Sequence, residues 1–163
     1  MARTHGRCPV GERLVMAVPH GHWQTTTFVA ALGVGGLSAP TVVDGAMTGE
    51  LFEAYVAQQL APALEPGDVV VMDNLSAHKV AAVRAKIEAV GSQLLYLPPY
   101  SPDFNPIEKC WAKIKQILRS LKARTVETLD EAITQALACI TPENARGWFQ
   151  HCGYQITQNV KTV

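Results

Sequence analysis

The stretch Asp68-Val69-Val70-Val71-Met72-Asp73-Asn74 decides the fold class. Its four consecutive apolar residues, three of them valine, are bounded by acids. So short a run, rich in β-branched residues, reads as a strand covered on both faces. The segments around it agree. Leu51, Phe52, Tyr55, Val56, Leu60 and Leu64 recur at helical spacing behind an N-cap at Thr48, and Pro66-Gly67 stops them. Downstream, Lys79 to Val90 reads as a helix with Gly91 as its stop. Gln93 to Leu97 reads as a second short strand, ended by Pro98-Pro99 because proline cannot donate to a ladder.

Further out, Thr25 to Val34 and Pro40 to Val43 are apolar and β-branched, with Gly33 to Gly36 between them as a hairpin turn and Asp44-Gly45 as the next turn. Asn105 suits an N-cap and Pro106 a first helical position. Ile107, Trp111, Ile114, Leu118 and Leu121 then form an apolar stripe. Thr125 caps a helix holding Val126, Leu129, Ile133 and Leu137, and Thr141-Pro142 opens a last one holding Trp148 and Phe149. Residues 1–24 read as irregular, and residues 125–163 as C-terminal helices. The expected order is strand, strand, helix, strand, helix, strand and three helices: an α/β fold with a mixed sheet, in one domain.

Composition narrows the function classes. The chain has 163 residues, 48% of them apolar, and 14 basic against 14 acidic side chains. That is globular, and a net charge of zero argues against binding a polyanion by bulk charge alone. No apolar run is long enough to span a membrane, and the N-terminus has no secretory h-region. Cys8, Cys110, Cys139 and Cys152 contain no C-x-x-C pair. They read as reduced, mostly buried thiols of a cytoplasmic protein. The neutral total hides a basic segment: Lys109, Lys113, Lys115, Arg119, Lys122 and Arg124 face Glu108 alone between residues 105 and 124. Such a run is either a solvated helix face or one turned to a polyanion.

Few residues invite chemistry. Asp73 ends the buried strand, at the sheet edge where α/β folds bind ligands. It is a functional acid or a turn residue. Glu108 follows Asn105 by three, which fits a capping box and also places an acid at a well-ordered helix start. His78 reads as a structural hydrogen-bonding residue. His20-Gly21-His22-Trp23 lacks the further ligands a metal needs and reads as a packed loop.

Together these residues resemble a known family. Val70-Val71-Met72-Asp73-Asn74-x-x-x-His78 and Leu97-Pro98-Pro99-Tyr100-Ser101-Pro102-Asp103-x-Asn105-Pro106-Ile107-Glu108-x-x-Trp111 resemble the catalytic core of DDE-superfamily transposases. More narrowly, they resemble bacterial insertion-sequence relatives of the mariner/Tc group. The 34 residues between Asp73 and Glu108 are the expected spacing, and the proline-rich approach to the glutamate is the most specific signature. Gly11-Glu12-Arg13, Pro19-His20-Gly21-His22-Trp23 and Thr25-Thr26-Thr27-Phe28 extend the match over most of the chain.

The resemblance implies a ribonuclease-H-like fold in which Asp73 and Glu108 are catalytic metal ligands. Asn74, His78 and Asn105 would support them. Lys109, Lys113, Lys115, Arg119 and Lys122 would contact DNA. It further implies Mg²⁺ or Mn²⁺ in a two-ion site, since carboxylates suit hard cations that can activate and stabilise the oxygens of a phosphodiester displacement. The partners implied are DNA, as transposon ends and target, and a second copy of the chain.

The family also has a first catalytic aspartate, on a central strand that should precede Gly11. No Asp precedes Asp44 here, and Asp44 itself matches a later turn. The expectation is therefore a core lacking its first strand and inactive alone. Its missing part would be lost, or supplied by frameshifting or by a full-length transposase. The alternatives are an inhibitory DNA-binding or dimerisation fragment of a transposase, and a general ribonuclease-H-like nuclease.

Overall fold

The computed structural model describes residues 6–15, 25–123, 125–156 and 160–162. His20-Gly21-His22-Trp23 and Arg124 lie outside them. The described contacts gather in two compact units.

The larger unit, Gln24–Cys110 with Ile140–Val163, is built on a five-stranded mixed sheet. β1 (Thr26–Gly33) and β2 (Gly36–Asp44) form the expected antiparallel hairpin, Gly33 opposite Gly36. The turn closes because Gly36 takes φ +118°, a region open to glycine and strained for other residues. Gly45 N–H donates to the Thr25 carbonyl at 2.7 Å and closes the far end of the hairpin. β3 (Val69–Met72) is the buried strand expected, and it pairs in parallel with β4 (Gln93–Tyr96).

The sequence reading has no counterpart for β5 (Val160–Thr162). It runs parallel to β3 and antiparallel to β1, giving the order β2-β1-β5-β3-β4. The resemblance leaves the space between the hairpin and β3 without a strand. β5 takes that space, with Val160, Lys161 and Thr162 opposite Val69, Val70 and Val71. Thr162 is fully buried, and its hydroxyl donates to the Leu32 carbonyl at 3.4 Å.

Helices follow in the expected order. α1 (Gly49–Tyr55) starts at Thr48, whose hydroxyl accepts from Leu51 N–H at 3.2 Å. It widens into a π-helical turn at Val56–Leu60 and tightens into a 3₁₀ turn at Ala61–Ala63. Pro62 has no N–H to give an α-helical bond, which accounts for the change of pitch. α2 (Ala81–Ala89) ends before Gly91, at φ +79°. Phe52, Val56 and Leu60 meet Val83 and Ile87 over Ala31, Val70, Met72 and Leu94 in one buried cluster. Burying a side chain such as Phe52 contributes about 1.5–3 kcal/mol.

α3 (Pro106–Leu121) gives its first turn to this unit, burying Ile107 and Cys110. The rest of α3 belongs to the second unit, Met1–Trp23 with Trp111–Cys139, together with α4 (Val126–Ala138). There Ile114 and Leu118 are buried, as are Ala132, Ile133 and Ala136. Cys110 thus joins the stripe of α3, while Leu121 is exposed. α5 (Pro142–His151), back in the larger unit, buries Ala145 and Phe149.

Two expectations need correction. The cysteines are free, as expected, but Cys8 and Cys139 are exposed, so only Cys110 and Cys152 are core residues. Asn105 has the extended backbone of an N-cap but does not make the capping box. Its N–H donates to the Pro102 carbonyl, and its Oδ1 is buried without a hydrogen-bond partner. The 3₁₀ turn Pro102–Phe104 has claimed the N–H that Glu108 would have capped. Among the described residues no helix is long and apolar enough to cross a membrane.

Candidate functional site

The end of β3 is fixed from both sides. Leu97 N–H donates to the Met72 carbonyl at 2.8 Å, carrying the β3–β4 ladder one step past the strands. Asn74 Nδ2 donates to the Leu97 carbonyl and ties the turn after β3 to the end of β4. Asp73 therefore leaves the sheet from a held backbone. Its Oδ1 accepts from Leu75 N–H at 3.0 Å, the local bond that aspartate makes in a turn. His78 Nδ1 lies 2.8 Å from the same oxygen.

His78 is itself held. Its ring lies against Phe52, with centroids 4.4 Å apart, and its carbonyl accepts from Tyr96 OH at 2.7 Å. It belongs to a 3₁₀ turn, Ser76–Lys79, which the sequence reading does not contain: its helix begins at Lys79, where α2 begins at Ala81. The sequence reading makes His78 a hydrogen-bonding residue, but its Nδ1 makes no hydrogen bond among the described residues and meets Asp73 as a close polar contact.

A cleft of about 430 Å³ opens beside this strand end. Asp73 and Asn74 line it from β3, Asn105 and Glu108 from the start of α3, and Leu97 to Pro102 form the wall between. The two expected carboxylates therefore border one cavity, although 34 residues separate them in sequence. Lys79 and Tyr100 border it too, and the sequence reading does not single them out. Tyr100 is fully exposed and has φ +57°, uncommon for a residue with a side chain. Its place after Pro98-Pro99 was the available signal.

The donor set suits a hard divalent cation. Carboxylate and amide oxygens are the ligands such ions take, and the orphaned Asn105 Oδ1 is a buried oxygen in want of a partner. Among the described residues no third acid, histidine or cysteine joins Asp73 and Glu108 in a cluster able to hold a metal.

The basic residues form one broad face. At about 100° per residue, Lys109, Lys113, Lys115 and Arg119 fall within an arc of about 160°, opposite the apolar stripe of Ile107, Ile114 and Leu118. Lys122 follows the helix end at φ +54°. Lys113 Nζ donates to the Cys139 carbonyl at 2.7 Å, at the C-terminal end of α4.

Comparison with known proteins gives a family and a fold. The family model described as DDE superfamily endonuclease matches residues 1–130. No curated protein matches. The structure is similar to that of the Mos1 strand transfer complex, with TM-score 0.70 and 16% identity over 93% of this chain and 46% of that one. It is also similar to the Mos1 mariner paired end complex with Mn, with TM-score 0.67 and 16% identity over 92% and 46%. For a pre-cleavage Mos1 transpososome the values are 0.63 and 13%, over 96% and 52%. The chain spans about half the length of these structures. The expected α/β class, a mixed ribonuclease-H-like sheet with flanking helices, is the one observed.

Proposed function

The chain belongs to the DDE superfamily endonucleases, and from that premise we propose that it is the catalytic core of a mariner-like, insertion-sequence transposase. The observation that carries the reading is the meeting of Asp73 and Glu108 in one cleft at the end of β3. These two carboxylates would hold Mg²⁺ or Mn²⁺, with Asn105 Oδ1 as a neutral oxygen beside them. When bound, such ions polarise the oxygens of a phosphodiester undergoing displacement.

The chain's own residues supply the rest. Asp73 brings its charge on a backbone fixed by Asn74 and Leu97. Glu108 brings its charge on the first turn of α3, where the helix dipole favours an acid. The exposed Lys79 ammonium at the cleft attracts a phosphate. Lys109, Lys113, Lys115 and Arg119, on the broad basic face of the helix, and Lys122 past its end would contact DNA backbone. Contacts of that kind position DNA without reading its sequence.

Asp73 and Glu108 are two acids where the family's two-ion chemistry takes three, so the residues given would not cleave DNA by themselves, and a further carboxylate would come from another polypeptide such as a full-length transposase. The setting is the cytoplasm, on DNA, as an oligomer. The test is an assay of the purified chain with Mg²⁺ or Mn²⁺ on transposon-end DNA. No cleavage is expected until the completing chain is added. Robust cleavage by the chain alone, lost on Asp73→Ala, refutes the inactivity. Cutting without end sequences points to a general nuclease instead.

A further inference from the structure

We propose that His78 is a positioning residue for Asp73: it occupies one oxygen of the carboxylate, so that the other alone is offered to the cleft, and it thereby sets how tightly the site takes a divalent cation. The inference rests on the proposed role of Asp73 as a cation ligand.

The geometry is specific. Oδ1 of Asp73 accepts from Leu75 N–H at 3.0 Å, and His78 Nδ1 lies 2.8 Å from it as a close polar contact, not aligned as a hydrogen bond. One hydrogen bond and one close polar contact on the same oxygen restrict the torsions of a short side chain. Oδ2 accepts no hydrogen bond from the described residues, and Asp73 borders the cleft. The histidine is built to hold still. Its side chain is 12% exposed against 37% for Asp73. Phe52, itself fully buried, backs the ring, and Tyr96 OH anchors the backbone.

A carboxylate held this way meets a cation through one oxygen without first losing side-chain freedom. Partners behind a metal ligand typically change affinity 10–100-fold when removed. The same arrangement keeps Asp73 from chelating with both oxygens.

The test is Mn²⁺ binding to the purified chain, read from the electron paramagnetic resonance signal of free Mn²⁺, alongside the melting temperature of each variant. His78→Ala is expected to weaken binding about 10–100-fold. His78→Asn is expected to restore most of it, because the asparagine amide nitrogen sits about where Nδ1 does. Unchanged affinity in a folded His78→Ala overturns the proposal, since a merely structural histidine would lower the melting temperature alone. Failure of His78→Asn to recover affinity overturns it too. Asp73→Asn and Glu108→Gln report on the underlying reading: if both bind Mn²⁺ like the wild type, or the wild type binds none, the cation site falls.

A metal-free measurement then judges the histidine by itself. In the wild-type chain, NMR should show His78 ring nitrogen shifts that Asp73→Asn moves. Shifts left in place by the substitution overturn the contact, whatever the metal results and whether or not the alanine variant folds.

Discussion

The two halves of the sheet are built on different terms. The β1–β2 hairpin has strands of eight and nine residues, joined by a two-residue turn and paired along nearly their whole length. Much of its surface is half-buried or exposed. The β3–β4 pair has four residues in each strand, pairs in parallel, and needs the Ser76–Lys79 turn and α2 to connect them. Local closure sustains the first. The second stands on its core, where Val70 and Met72 are fully buried under Phe52, Val56 and Ile87. The acid sits on the second kind. A short strand ends deep in the molecule, and the ties that hold its end also hold the side chain that follows.

The comparison can be broken at several points. Deleting residues 160–163 has the largest expected effect, because among the described residues β5 is the strand that pairs with both halves. Unfolding in denaturant should split into separate hairpin and core transitions. One unchanged transition would show that the halves do not depend on the strand between them.

Phe52→Ala removes the cover of the parallel pair and should cost about 3–5 kcal/mol in chemical denaturation. Val42→Ala, on the half-exposed hairpin, should stay within about 0.5 kcal/mol. Equal costs would erase the distinction. Gly36→Ala tests local closure. An added Cβ meets nothing within 4 Å, so the expected cost is torsional, about 1–2 kcal/mol.

The smallest effect concerns α5, which packs near β2. Its own backbone N–H and the Thr141 hydroxyl hold the Glu143 carboxyl below its ordinary value of 4.5. A depressed pKa stabilises above the unfolded value and loses that contribution as pH falls through the folded one. Wild type and Glu143→Gln should therefore differ slightly in melting temperature at pH 6 and converge near pH 3. A difference that survives at pH 3 would point to another cause.

Much of this was legible in sequence because it is local. The valine run, the cap at Thr48, the stops at Pro66-Gly67 and Gly91 and the hairpin glycines each declare themselves within a few residues. The paired acids were legible as a motif. What escaped depends on distant partners. Val160-Lys161-Thr162 is β-branched at two positions but too short to declare a strand, and it becomes one because β1 and β3 stand on either side of it. His78 was readable as a polar structural residue, but its contact with Asp73 depends on the 3₁₀ turn Ser76–Lys79, which has no signal of its own in the sequence. Asn105 looked like a cap until the turn before it took the N–H. The broad basic face of α3, opposite its apolar stripe, needed only the helix period, applied residue by residue.

β5 also sets an order of events in time. It is the last of the five strands to be synthesised, and Thr162 finds Leu32 across 130 positions of chain. A growing chain therefore displays β1 and β3 with their facing ladder groups unpaired until its final strand arrives. Contacts of such separation form late and slowly. For that interval the nascent protein offers any extended segment nearby the place its own strand has yet to fill.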